Sequence, residues 1–173
     1  IAMLVTKIEK IINKEIALLI RYGSYNYNLN TNNSDYDYRG FIAEWDSGFE
    51  VLNFAIEDNY DICINTLDQL LTNLLEMNPK YLELLFSDTI YVSPSVPELK
   101  SLFSMCNEIA KMDLPSMYER YIGEYLLHQE YIKNNLKPHK NMGYAIHSYR
   151  FLDILERFHS TGFTNYDYAI KYD

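Results

Sequence analysis

Only two cysteines, Cys63 and Cys106, occur in the 173 residues, and their separation matches no metal-ligand spacing. Each reads as a buried free thiol and not as half of a disulfide, which fits a reducing, cytoplasmic setting. No apolar run approaches the roughly 20 residues that a membrane-spanning helix needs, so a soluble protein without a membrane partner is expected. No signal peptide is expected, and Ile1-Ala2, ahead of Met3, are set aside as an appended remnant. There is no run of Lys or Arg: 15 basic residues face 24 acidic ones, giving a net charge of −9 and a pI near 4.9. Such a chain repels long nucleic acid unless its positive groups gather on one face. Internal repeats and disorder-prone blocks are absent too. What remains is a chain that is 48% hydrophobic, long enough for one compact domain or two small lobes.

The informative segment is Tyr22 to Gly40. The apolar run Ile16–Ile20 reads as a buried strand that ends at Gly23-Ser24, where glycine lets the backbone turn sharply. A short helix from Tyr25 would turn its free N–H groups and the Ser24 hydroxyl towards a phosphate. Further on, Ser34-Asp-x-Asp enters a second strand, with Arg39-Gly40 behind it. If residues 35 to 44 are extended, Asp35 and Asp37 share one face with Cα atoms roughly 6.5 to 7 Å apart. Two carboxylates that close repel each other unless protonated or bridged, and hard oxygen ligands favour Mg²⁺ or Mn²⁺. Asn, Asp, Ser and Gly also make ordinary surface turns, so it is the combination that carries the signal.

A Gly-Ser pair followed by Ser-Asp-x-Asp-x-Arg-Gly resembles the DNA polymerase β superfamily, specifically its group of predicted nucleotidyltransferases. Asp61-Ile-Cys-Ile-Asn, the block Asn78-Pro-Lys-Tyr-Leu-Glu-Leu-Leu-Phe86, and Lys140 with His147 and Arg150 extend the resemblance over about residues 16 to 162. It implies a third carboxylate on a neighbouring strand: Asp61, with Glu57 and Asp58 as close rivals. It further implies that Asp35, Asp37 and Asp61 hold Mg²⁺ or Mn²⁺ and carry catalysis. Gly23, Ser24, Arg39, Lys140, His147 and Arg150 would then contact the nucleotide and its phosphates. The expected reaction transfers a nucleoside monophosphate from a nucleoside triphosphate, ATP or another, to an acceptor, with pyrophosphate leaving. The acceptor is an RNA end, a protein or a small molecule. The alternative is a non-catalytic nucleotide-binding or partner-binding module of the same fold. Phosphate-ester hydrolysis is disfavoured, because no His/Asp cluster of the metal-dependent phosphohydrolases occurs.

The expected fold is α+β: a polymerase β-like small mixed sheet flanked by helices over residues 3–93, then a helical, substrate-binding bundle over 94–173, divided at Pro94 and Pro97. A helix over Val5–Lys14 precedes strands at 16–20, 37–44, 49–53 and from Asp61. Thr66-Leu-Asp-Gln69 caps a helix over Leu67–Glu76 with Leu70, Leu71, Leu74 and Leu75 as its stripe. Asn78-Pro79 starts another helix, with Asn78 and Glu83 read as architecture, and Tyr91-Val92 offers a further strand. Capping boxes at Ser95-Val-Pro-Glu98 and Ser116-Met-Tyr-Glu119 predict helices over 96–111 and 116–135, and Pro138 starts a third. On it Lys140 and His147 lie nearly in line, with Arg150 about 80° round, forming a basic edge that either grips phosphate oxygens or is solvated and ion-paired, as in Arg150 with Asp153. His147 reads either as a substrate contact or as a structural hydrogen-bonding residue. Most of the 17 tyrosines read as core or rim, not base-stacking platforms, and the stretch from Tyr166 to Asp173 shows no closing element.

Overall fold

The computed structural model describes residues 1–32, 34–43, 50–57 and 59–172. Helix α1 (Ala2–Ile12) leads into β1 (Ile16–Tyr22), a 3-10 turn (Gly23–Tyr27), β2 (Tyr36–Ile42), β3 (Leu52–Ile56) and β4 (Tyr60–Thr66). Then come α2 (Leu67–Leu75), α3 (Pro79–Leu82) continued by a 3-10 turn (Glu83–Phe86), and β5 (Ile90–Val92). The strands form one mixed sheet in the order β3-β4-β2-β1-β5, with β2 and β4 parallel and the other neighbours antiparallel. The fold is thus α+β, built on the small mixed sheet that the sequence predicts. The strand expected at 49–53 runs instead over Leu52–Ile56, and residue 49 lies outside the described residues.

The sheet has two unlike faces. On one, Val5 and Ile8 of α1 pack against Ile16, Leu19, Ile42, Ile62 and Ile64. Strict alternation would put Ile16 and Leu19 on opposite faces, but a register shift between Ile16 and Leu18 brings them together. On the other face Leu18, Ile20 and Phe41 join Leu70, Leu74 and the later helices. Asp37, Arg39, Asp61 and Cys63 alternate with Tyr38 and Ile62 of the α1 face, so they share the face turned to the helices. Helix α1 starts at Ala2, with the Ile1 carbonyl accepting from Val5 N–H, so Ile1 and Ala2, expected to be an appended remnant, take part in its first turn; left-handed Asn13 (φ 53°) ends it before Lys14.

Several helical expectations change. The box at Thr66 forms in both directions and opens α2, but Leu75 is 71% exposed, because it stands 100° round from buried Leu74. The box at Ser95 does not form, and 96–111 divides into a 3-10 turn (Pro97–Leu99), α4 (Lys100–Ser104) and α5 (Cys106–Ala110). Ser101 and Ser104 turn their hydroxyls back onto the carbonyls of Glu98 and Ser101, which competes with continuous helix. Helix α6 (Leu114–Lys133) is capped by Asp113, whose carboxylate accepts from Ser116 N–H at 3.1 Å and Ser116 Oγ at 2.7 Å; Ser116 serves the cap and is not itself the cap. A 3-10 turn (Pro138–Lys140) precedes α7 (Asn141–Ser160).

The stretch from Tyr166, expected to lack an element, carries a short packed helix. Asn165 caps α8 (Tyr166–Ile170), and Tyr166, Ala169 and Ile170 are fully buried, with the Tyr166 ring against Phe86 and Phe158. One hydrophobic cluster runs from the sheet through Met117, Tyr121, Phe151 and Phe158 to α8, so packing is continuous across Pro94 and Pro97, where the type of element changes. Among the described residues no helix is long and apolar enough to cross a membrane. Both cysteines are free thiols, half-buried.

Candidate active site

Strand β1 delivers the chain to Gly23, and the 3-10 turn opens there, not at Tyr25 as expected. Gly23 has φ +74°, and a Cβ on it would overlap Asp37 Oδ2. Backbone conformation and space both require glycine, because the turn rests directly on the carboxylate. At the far end, Asn28 (φ 59°) closes the turn, and the N–H groups of Asn28 and Leu29 both donate to the Ser24 carbonyl. The half-buried Ser24 hydroxyl has no intramolecular hydrogen bond among the described residues.

Asp37 sits at the centre of three strands, paired with Tyr22 on β1 and with Asp61 on β4. Because β2 and β4 are parallel and in register, Asp37 and Asp61 are direct neighbours on one face, about 4.8 Å apart along the hydrogen-bonding direction. Asp35 is exposed, one residue before the strand, where the Tyr36 N–H still bonds the Asn59 carbonyl at 2.8 Å. Burial first, then the charges of Asp61 and Asp35, push the Asp37 carboxyl up to about 6, against a downward pull from Arg39. Of the rivals for the third position, Glu57 turns away to pair with Lys7 of α1, and Asp58 lies outside the described residues.

Two hollows meet at Asp37. The larger, about 680 Å³, is lined on the sheet side by Gly23, Ser24, Asp37 and Arg39, and on the helical side by Lys80, His128, Tyr144, His147, Arg150 and Phe151. The smaller, about 330 Å³, runs over β3 and β4 and includes Asp61, Asn53 and Cys63. Arg39 is held between two rings, with its guanidinium carbon 5.0 Å from the Tyr22 centroid and 4.7 Å from that of Tyr81. Its buried Nε has no hydrogen-bond partner among the described residues. At the mouth, crowding by the cleft wall and then the charge of Arg150, with smaller effects from His128 and Lys80, push the His147 imidazole down to about 4. That ring is therefore neutral near pH 7.

The basic edge expected on the third helix divides. Lys140 is exposed on the turn before α7 and is not among the residues lining the cleft. His147 lines it, and Arg150 lies at its floor, 5% exposed, paired with Glu83 at 3.0 Å and not with Asp153. Lys80, to which the sequence reading assigned no role, takes a place in the wall and pairs with Glu124 at 2.9 to 3.0 Å. Its signal was the Asn78-Pro79 helix start. Asn78 Oδ1 accepts from Lys80 N–H at 3.1 Å, so the residue after the proline lies in the capped first turn of α3.

The donor set is all carboxylate oxygen, and Asp37 carries repulsion from its neighbours that Arg39 offsets only in part, which suits a hard divalent cation. Among the described residues, however, no three His, Cys, Asp or Glu side chains are grouped as a ready-made metal cluster.

A half-buried Asp thus stands on a central strand, beside a second carboxylate and under a Gly-Ser turn. Residues 1–151 match the family described as the RNA repair pathway DNA polymerase beta family, RlaP, and the chain belongs to it. No curated protein matches the chain.

Proposed function

We propose that this chain transfers a nucleoside monophosphate from a nucleoside triphosphate to an acceptor hydroxyl, releasing pyrophosphate. The observation that carries this is Asp37, pushed up to about 6 by burial and by Asp61 and Asp35, at the junction of two hollows. The triphosphate occupies the larger hollow. There the Ser24 hydroxyl, the Arg39 guanidinium and the Lys80 ammonium meet its oxygens, and the neutral His147 ring offers a hydrogen bond. The acceptor enters over β3 and β4, where Asp61 takes its proton. The acceptor oxygen bonds to the α-phosphorus as the bond to pyrophosphate breaks. Bound Mg²⁺ or Mn²⁺, held by Asp35, Asp37 and Asp61, would supply charge neutralisation at the triphosphate and acidify the acceptor hydroxyl. The family's description favours an RNA end as acceptor. The cations gathered at the cleft, Arg39 and Lys80, fit that choice despite the net charge of −9.

The test is incubation with each α-³²P-labelled nucleoside triphosphate and Mg²⁺ or Mn²⁺, with RNA ends or cell extract, following labelled acceptor and pyrophosphate. Label transfer is expected in the wild type and absent in Asp37→Asn and Asp35→Asn, both still folded. Undiminished transfer by Asp37→Asn, or nucleotide binding with no pyrophosphate from any acceptor, would overturn the reading.

A further inference from the structure

Arg150 reaches the cleft floor without the surroundings of an anion ligand. Its Nη2 donates to Glu83 Oε2 at 3.0 Å, and its guanidinium carbon lies 3.8 Å from the Tyr27 ring centroid. Its Nε and Nη1 are sealed from solvent, so an anion entering the cleft does not meet them. Burial disfavours the charge, but Glu83, with the Tyr27 and Tyr121 hydroxyls, more than restores it, and the group stays cationic. Glu83 is itself 1% exposed, and its backbone carbonyl accepts from Asn26 Nδ2 at 2.9 Å.

Asn26 and Tyr27 are the last two residues of the Gly23–Tyr27 turn. A five-residue 3-10 turn with left-handed residues at both ends has little shape of its own. Three tertiary grips supply it: Glu83 on Asn26, Arg150 on the Tyr27 ring, and the Tyr172 N–H on the Tyr27 carbonyl at 3.0 Å. We infer that Arg150 and Glu83 are positioning residues, which hold the Gly23–Tyr27 turn against Asp37 so that its phosphate-facing end is ordered only while α7 is docked. The functional half of this rests on the proposed nucleotidyl transfer; the structural half does not.

The experiment uses the full chain and Arg150→Lys, which keeps the charge but not the planar stack on Tyr27. First, amide hydrogen exchange is followed in the free protein at Asn28 and Leu29, whose N–H groups bond the Ser24 carbonyl, and at Tyr172. Exchange there is expected to accelerate about tenfold or more while the amides of β1 stay protected. Unchanged exchange at these three sites overturns the inference. Second, MgATP is titrated into wild type, Ser24→Ala, Arg150→Lys and the double variant. Arg150→Lys is expected to weaken binding about tenfold in the wild-type background and hardly at all in the Ser24→Ala background, because both act through one turn. Equal losses in the two backgrounds would make Arg150 a direct ligand and overturn it. If Arg150→Lys fails to fold, Tyr27→Leu removes the stack, leaves the ion pair, and is read in the same two ways. If wild type binds no MgATP, the proposed function fails, and exchange alone decides the positioning role.

Discussion

The two walls of the cleft carry opposite charge and treat it in opposite ways. On the helical wall each strong cation already has a carboxylate: Arg150 is buried with Glu83, and Lys80 pairs with Glu124. On the sheet wall Asp37 faces Asp61 and Asp35, and only Arg39 relieves it. The buried Arg150–Glu83 charges are thus spent on architecture, and half-exposed Lys80 is left to turn to an incoming phosphate, whereas the sheet carboxylates stand in deficit, and a deficit is where an incoming cation gains most. If this contrast holds, removing one member of the buried Arg150–Glu83 pair destabilises the fold, while removing a sheet carboxylate relieves it.

The largest effect is expected at the buried pair. Arg150→Met or Glu83→Leu alone strands a buried charge and should cost about 3–5 kcal/mol in urea unfolding, whereas the double replacement should recover most of that loss. Additive losses would mean that the two groups are not each other's main partner, and the helical half of the comparison would break.

Next comes the contact between the walls' common floor and the turn. Gly23→Ala should cost about 1–2 kcal/mol from the left-handed backbone alone, and its Cβ displaces either the turn or the Asp37 carboxylate. Pyrophosphate release should vanish while far-ultraviolet circular dichroism is unchanged. Gly143→Ala is the matched control. A Cβ there meets nothing within 4 Å on α7, so stability should hold or rise by up to about 1 kcal/mol.

The two walls also differed in how far they could be read from sequence. Strand period is local, so the strand ending at Gly23-Ser24 and the strand that carries Asp37 follow from spacing, whereas Asp61 rested on the family resemblance, with Glu57 and Asp58 as rivals, because the register that sets it beside Asp37 is a pairing between strands 24 residues apart. The helical wall depends on how helices dock. Arg150 and Glu83 are 67 residues apart, and no periodicity links them. Extending the helical phase of α7 back to Lys140 put that residue in line with His147, but the helix begins at Asn141, and Lys140 lies on the preceding turn. Helix α8, by contrast, carried a usable signal: Tyr166, Ala169 and Ile170 are spaced i, i+3, i+4, with Asn165 in the capping position.

The smallest effect is the one that most sharpens the contrast. Asp37 titrates near 6 in the folded protein against about 3.8 when unperturbed, so the folded state holds its proton more tightly than the unfolded chain. The stability this contributes is complete below about pH 4, falls as pH rises through about 6, and is absent at pH 7. Asp37→Asn keeps a neutral group at all pH values. It should therefore be more stable than wild type at pH 7, by about 1–2 kcal/mol once solvent screening is allowed for, and equal to it near pH 4. Mg²⁺ should stabilise wild type at pH 7 and leave Asp37→Asn unchanged, since the cation acts on the repulsion that the variant lacks. Paired urea titrations at pH 4 and pH 7, with and without Mg²⁺, measure all three differences. A variant less stable than wild type at pH 7 would mean that Asp37 is already neutralised within the fold, and the sheet wall would then be no different in kind from the helical one.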